Sequence, residues 1–186
     1  MWPRKIKKRI ALICALLVVW YWYDAAQRMR EHYIGNVCAA NLRSIYSGLA
    51  LYAQDYDQHL PIASVWMDRT KDYLHGDART ANVFHCLEVR QGPQSYGYGF
   101  NGQLSSAPIP QHPSATVLIF DSQNTQWNAT SSPVALAFPL RHERKWPNPS
   151  DKVMCIDGHV TGVTKQDASP LPGGGLTIKS DFLSPQ

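Results

Sequence analysis

The sequence predicts an α+β fold, with one long N-terminal helix followed by a small β-rich domain of short strands. Three observations lead there. No proline interrupts the chain between Asp24 and Pro61, where apolar residues recur at spacings of three and four. Beyond Pro61, short apolar runs are separated by Pro, Gly, Ser and Asn. The 186 residues, 44% hydrophobic and 17% charged, amount to about one domain and are too apolar to stay disordered throughout.

The first element follows from charge. Residues 1–9 hold Arg4, Lys5, Lys7, Lys8 and Arg9 and no acid, whereas the rest of the chain carries 13 basic against 14 acidic side chains. The formal charge of +4 is therefore a property of one end. A nucleic-acid binder spreads its basic residues over a face, so no nucleic-acid partner is expected. Ile10 to Tyr23 is a run of fourteen residues without a charge. As a helix it covers about 21 Å, short of a bilayer's roughly 30 Å core. Snorkelling of the basic flank and the interfacial cluster Trp20, Tyr21, Trp22 and Tyr23 make up the difference, with Trp2 as an opposite girdle. A membrane span at 10–23 is expected, in contact with lipid, with the N-terminus cytoplasmic and the remainder extracytoplasmic. A cleaved signal also fits fourteen residues, but four bulky aromatics and Asp24 stand where small residues belong. Ala11-Leu12-Ile13 before Cys14 is not a lipoprotein pattern.

Past the span, Leu42, Ile45, Leu49, Tyr52 and Tyr56 form one apolar stripe, and Met29, Tyr33 and Val37 extend it toward the membrane. Gly35 is where this helix would bend, or where two separate helices would meet. The element closes at Asp57 to Pro61. A short helix is expected over Arg69–Leu74, and strands over Ser95–Phe100, Thr116–Asp121 and Val134–Phe138. Val153 to Val163 reads as a hairpin turning on Asp157-Gly158, since glycine tolerates positive φ. The expected organisation is a basic flank (1–9), a span (10–23), the helix continuation (24–60), a β-rich domain (61–167) and a loose Pro- and Gly-rich tail (168–186).

An ordered series of residues then points to a family. Cys38-Ala-Ala-Asn41-Leu42-Arg43, Leu51-Tyr52-Ala53-Gln54-Asp55-Tyr56-Asp57 and Leu60-Pro61 are followed by Trp66, Tyr73-Leu74, Val83-Phe84-His85-Cys86, Ser95-Tyr96-Gly97-Tyr98 and Asn101. Val117 to Ser122, Arg141-His142 and Asp157-Gly158-His159-Val160 complete it. The series resembles the bacterial prepilin-type, processing-associated proteins, pilin-like proteins named for a histidine, nine residues, then Asp-Gly. The resemblance covers about residues 30–165 and implies a long helix packed on a small antiparallel sheet. Two departures stand out. No glycine precedes a Phe-Thr-Leu-Ile-Glu-type run, so the prepilin peptidase site is missing, and fourteen residues separate His142 from Asp157.

Of the four cysteines, Cys14 lies in the span, and the orientation puts Cys38, Cys86 and Cys155 in an oxidising compartment. Cys38 and Cys86 occupy the family-like positions, which implies a disulfide; Cys155 reads as a buried thiol. His142, Asp157 and His159 have metal-ligand or acid–base chemistry. They fit a hairpin turn and its hydrogen-bonding partner better, so no metal, cofactor or catalytic residue is assigned. Trp127 and Trp146 are candidate contacts to a protein partner, and Asn128-Ala129-Thr130 fits a glycosylation acceptor weakly. The expected function is that of a non-enzymatic accessory or structural subunit of a larger complex in the bacterial inner membrane. Its partners would be other membrane proteins, met through the span and the extracytoplasmic domain. A divergent pseudopilin of a type II secretion or type IV pilus-like machine is the alternative. A small extracytoplasmic metal-dependent enzyme comes third.

Overall fold

The computed structural model describes residues 3–74, 82–89, 92, 95–111, 114, 116–131, 142, 151–163, 168–170 and 176–178. Contacts divide the chain into two units, Met1–Tyr33 and Ile34–Gln186. One helix, α1 (Arg4–Asp55), supplies the described structure of the first unit and continues into the second. The backbone stays helical through Gly35, so the expected single helix forms and the alternative of two helices meeting there does not.

In the first unit the large apolar side chains of α1 are exposed. Leu12, Leu16, Val19 and the Trp20–Tyr23 cluster are all at least 60% exposed. The exposed pair Asp24 and Arg28, one turn apart, is joined by a salt bridge just past the aromatic cluster.

In the second unit α1 buries Ile34, Cys38, Leu42, Ile45, Leu49 and Ala53. These follow one another at spacings of three and four, which is a single helical face. Met29 and Tyr33, expected on the buried stripe, are exposed, as is Tyr56. Counting back by fours from Leu42 reaches Cys38 and Ile34, and that row is the one that meets the core. Full burial of side chains such as Leu42, Ile45 and Leu49 contributes roughly 1.5–3 kcal/mol each. The helix stops because Asp57 and Gln58 both take positive φ, and the Gln58 N–H closes back onto the Ala53 carbonyl at 2.7 Å.

Helix α2 (Trp66–Lys71) begins three residues before the expected short helix. Trp66, Met67 and Thr70 are its buried face, so apolar burial sets its start. Trp66 stacks on Phe100, meets Phe84 edge-on and donates its indole N–H to the Ala129 carbonyl at 3.0 Å. This residue is the centre of the core.

The sheet runs in the order β3 (Thr130–Ser131), β1 (Tyr98–Asn101), β2 (Val117–Asp121), β4 (Asp151–Cys155), β5 (Val160–Val163). Three pairings are antiparallel, but β3 lies parallel to β1, with Phe100 opposite Thr130. The sheet is therefore mixed, not purely antiparallel. The connection after β2 returns β3 to the far side of β1, running in the same sense. At the centre, β2 shifts register against β4 between Val117 and Ile119. The extra residue lets Leu118 and Ile119 both join the main core, while Val117 and Phe120 belong to a second cluster with Val153, Cys155 and Val163.

The β4–β5 hairpin forms as expected, but its turn is longer. The Gly158 N–H donates to Cys155 O, so Ile156 and Asp157 are the central turn residues and Gly158 follows with φ of 88°. The tail is not wholly loose: β6 (Ala168–Pro170) pairs antiparallel with β7 (Leu176–Ile178). The strand expected at Val134–Phe138 lies outside the described residues.

Candidate functional site

The buried face of α1 carries Cys38 into the core, where it meets Cys86, the second residue after a 3-10 turn at Asn82–Phe84. Two contacts hold this segment against the helix. Asn41, one turn beyond Cys38, donates its side-chain amide to the His85 carbonyl at 3.1 Å, and the Gly97 N–H donates to Phe84 O at 3.2 Å. Gly97 is required here: a Cβ at that position would lie 2.3 Å from the Cys86 Cβ. The two sulfurs stand 3.1 Å apart as free thiols.

His142 completes the cluster. Its Nε2 lies 3.6 Å from Cys86 Sγ and 3.2 Å from Asp121 Oδ2. Asp121 ends β2, and the same oxygen accepts the Lys152 backbone N–H at 2.6 Å. Cys38, Cys86, Asp121 and His142 are all at most 2% exposed. Asp121 is the residue that a sequence reading passes over. The available signal is that Val117-Leu118-Ile119-Phe120-Asp121 is an apolar strand ending in an acid, and such an acid needs a buried partner.

The charges explain one another. Burial works against a charged His142, but the hydrogen bond to Asp121 and the negative charge nearby override it and raise its pKa to about 10. The hydrogen bond from Cys86, helped by His142 and opposed by burial, lowers Cys38 to about 5. Cys86 moves up, first because it donates that hydrogen bond and then through burial. The two thiols thus share one proton beside an imidazolium. Burial likewise raises Tyr98, whose hydroxyl donates to the Cys38 carbonyl at 3.4 Å.

Cys38, Cys86 and His142 offer donor atoms within 4.8 Å of one another, the spacing of a shared cation. The sulfurs would have to move apart for that use. Two thiolates on tetrahedral zinc, at about 2.3 Å from the metal, stand roughly 3.8 Å apart, and here the separation is 3.1 Å. The arrangement is that of a thiol pair.

The other expected site residues are elsewhere. Asp157 and His159 pair with each other in the hairpin turn at 2.6 Å, so His142 does not converge with them. Cys155 is a buried thiol in β4, raised to about 12 mainly by burial, and Cys14 is exposed on α1. Trp127 is a packing residue. It meets Phe84 and Tyr96 edge-on and donates to Asp68 Oδ1 at 3.0 Å. Asn128 accepts the Met67 N–H at 2.7 Å and donates to Asp68 at 2.7 Å, so its amide is already engaged. Arg4, Lys5, Lys7, Lys8 and Arg9 lie in the first turns of α1, and Trp146 falls outside the described residues.

No protein-family model, curated protein or solved structure matches this chain. Its function must be read from the helix and from the cluster.

Proposed function

We propose that this chain is a non-enzymatic, single-span membrane protein of the bacterial inner membrane. Its pilin-like extracytoplasmic domain serves as an accessory subunit of a larger membrane complex. One observation carries the reading: the same helix is exposed along Ile10–Tyr23 and buried along one face from Ile34 to Ala53. The first stretch is long and apolar enough to cross a membrane as part of α1. Leaving the eleven large apolar side chains of this stretch in water would forfeit on the order of 20 kcal/mol, so lipid or neighbouring apolar helices are the expected cover. The five basic residues before the span favour a cytoplasmic N-terminus. The pilin-like assignment rests on the ordered residue series from Cys38 to Val160 and on a helix whose second half packs against a small sheet.

Extraction of native membranes at alkaline pH, followed by detergent purification and intact-mass measurement, tests this. The expected result is retention in the membrane pellet, an untrimmed N-terminus and stoichiometric co-purification with other membrane proteins. Release into the alkaline supernatant would refute the span. A trimmed, N-methylated chain would replace the accessory subunit with a pseudopilin.

A further inference from the structure

We propose that Cys38 and Cys86 are a redox-active dithiol that reacts stoichiometrically with low-molecular-weight disulfides, and that His142 stabilises the attacking thiolate. The proposal goes beyond anchoring and does not depend on it. The sulfurs are 3.1 Å apart, and the His142 Nε2 sits 3.6 Å from Cys86 and 3.2 Å from Asp121. A plain structural bridge has no need of an imidazole against its sulfur. Here the carboxylate of Asp121 holds that imidazole charged, and a thiolate beside it is stabilised. Among the described residues, Tyr98 on β1 is the remaining titratable group at the pair, and its hydroxyl points to the Cys38 carbonyl.

Cys86 also borders a cavity of about 560 Å³, lined in addition by Asn82, His85, Leu87, Val89 and Ser95. That volume lies in the range that takes small ligands, about 300–1,000 Å³, and is far too small for a folded oxidant. A compound of the cystine or oxidised-glutathione kind fits the chemistry, with the polar edges of Asn82 and Ser95 beside it.

The exchange balances in two steps. The pair's proton crosses the 3.1 Å contact from Cys86 to Cys38, and the Cys86 thiolate so formed at the cavity attacks one sulfur of the incoming disulfide; a Cys86–S bond forms, the incoming S–S bond breaks and one thiolate leaves. Cys38 then attacks Cys86 Sγ; the Cys38–Cys86 bond forms and the second thiolate leaves. Two electrons pass from the pair to the small disulfide, and the pair's single proton ends on one of the two released sulfurs, the other leaving as thiolate with the pair's negative charge. Oxidation also removes the cluster's unshared negative charge, leaving the Asp121–His142 pair electrically balanced.

The test uses the full chain in detergent, reduced, freed of reductant and exposed to oxidised glutathione between pH 6 and pH 8. Closure is followed by acid quench, alkylation and intact mass. The expected result is loss of two alkylation sites, a Cys38–Cys86 cross-linked peptide, and a Cys155 that stays reduced. The rate should change less than about threefold over this range, whereas an unassisted thiol near pKa 8.5 accelerates roughly 80-fold. His142→Gln should restore the steep profile. If that variant does not fold, Asp121→Asn should do so by taking away the group that keeps His142 charged. A steep rise in the unmodified chain overturns the role of His142. Persistent alkylation of both cysteines, or one zinc ion per chain bound through both sulfurs, overturns the redox pair. None of these outcomes bears on membrane retention.

Discussion

A Cβ placed on Gly158 would lie 2.7 Å from the Cε1 of Tyr46, so the turn of the β4–β5 hairpin rests directly on the ring of a residue of α1. Gly158 also holds φ at 88°. The two demands are separable: one is a backbone conformation, the other a lack of room. Gly158→Ala should cost about 2–4 kcal/mol, about 1–2 from the left-handed backbone and the rest from overpacking. In a Tyr46→Leu background the same substitution should cost only the backbone part. Urea unfolding of the four chains in a double-mutant cycle measures the difference, and equal costs in both backgrounds would contradict the contact.

The buried ion pair predicts a direction with pH. In a Cys38→Ser, Cys86→Ser chain the thiols no longer titrate, and Asp121 remains as the partner that keeps His142 charged. Asp121 still raises His142 above the ordinary 6.5, without the share that Cys38 adds, and a raised pKa stabilises the fold most fully below pH 6.5. That contribution is lost as pH rises through the raised value. Stability should therefore fall as pH rises above 6.5. Asp121→Asn should flatten this slope and cost about 3–5 kcal/mol at neutral pH by leaving a buried charge unpaired. Denaturant midpoints across this range provide the check.

Asn128 takes φ of 56° and joins Met67 and Asp68 of α2 to the chain leading into β3. Asn128→Gly keeps the backbone conformation and should lose about 1–2 kcal/mol from the two hydrogen bonds. Asn128→Ala adds left-handed strain and should lose about 1–2 kcal/mol more. The ordering Asn, Gly, Ala in melting temperature is the measurement. A stable glycan at Asn128 would be incompatible with these bonds.

A charge in the exposed apolar stretch should separate anchoring from folding. Leu16 is 60% exposed, and Leu16→Arg places a cation at mid-span at a cost of about 2.5–3.5 kcal/mol of insertion. Membrane retention should drop, while the near-ultraviolet circular dichroism of the Trp66 core should remain. Loss of both together would mean that the stretch is part of the folded core.

Legibility in the sequence differed from residue to residue for physical reasons. Leu42, Ile45 and Leu49 could be placed on the buried face because helical periodicity is a property of neighbours along the chain. Met29 and Tyr33 have spacing nearly as good, yet they are exposed, because periodicity does not report where protein cover ends. The turn around Gly158 was legible as a hairpin, since glycine there marks positive φ, but its length depended on how β4 and β5 align. The bulge that turns both Leu118 and Ile119 into the main core leaves no mark in the local pattern.

By itself the sequence determined the α+β class, the helix with one exposed apolar stretch and one packed stretch, and the β4–β5 hairpin. Each is written in spacings of a few residues or in the backbone freedom of a single glycine. Only the tertiary structure decided that the sheet is mixed and that Asp121 and His142 stand beside Cys38 and Cys86. Those four residues come from widely separated segments and meet through packing. Nothing in the spacing between segments records which of their side chains packing will bring into contact.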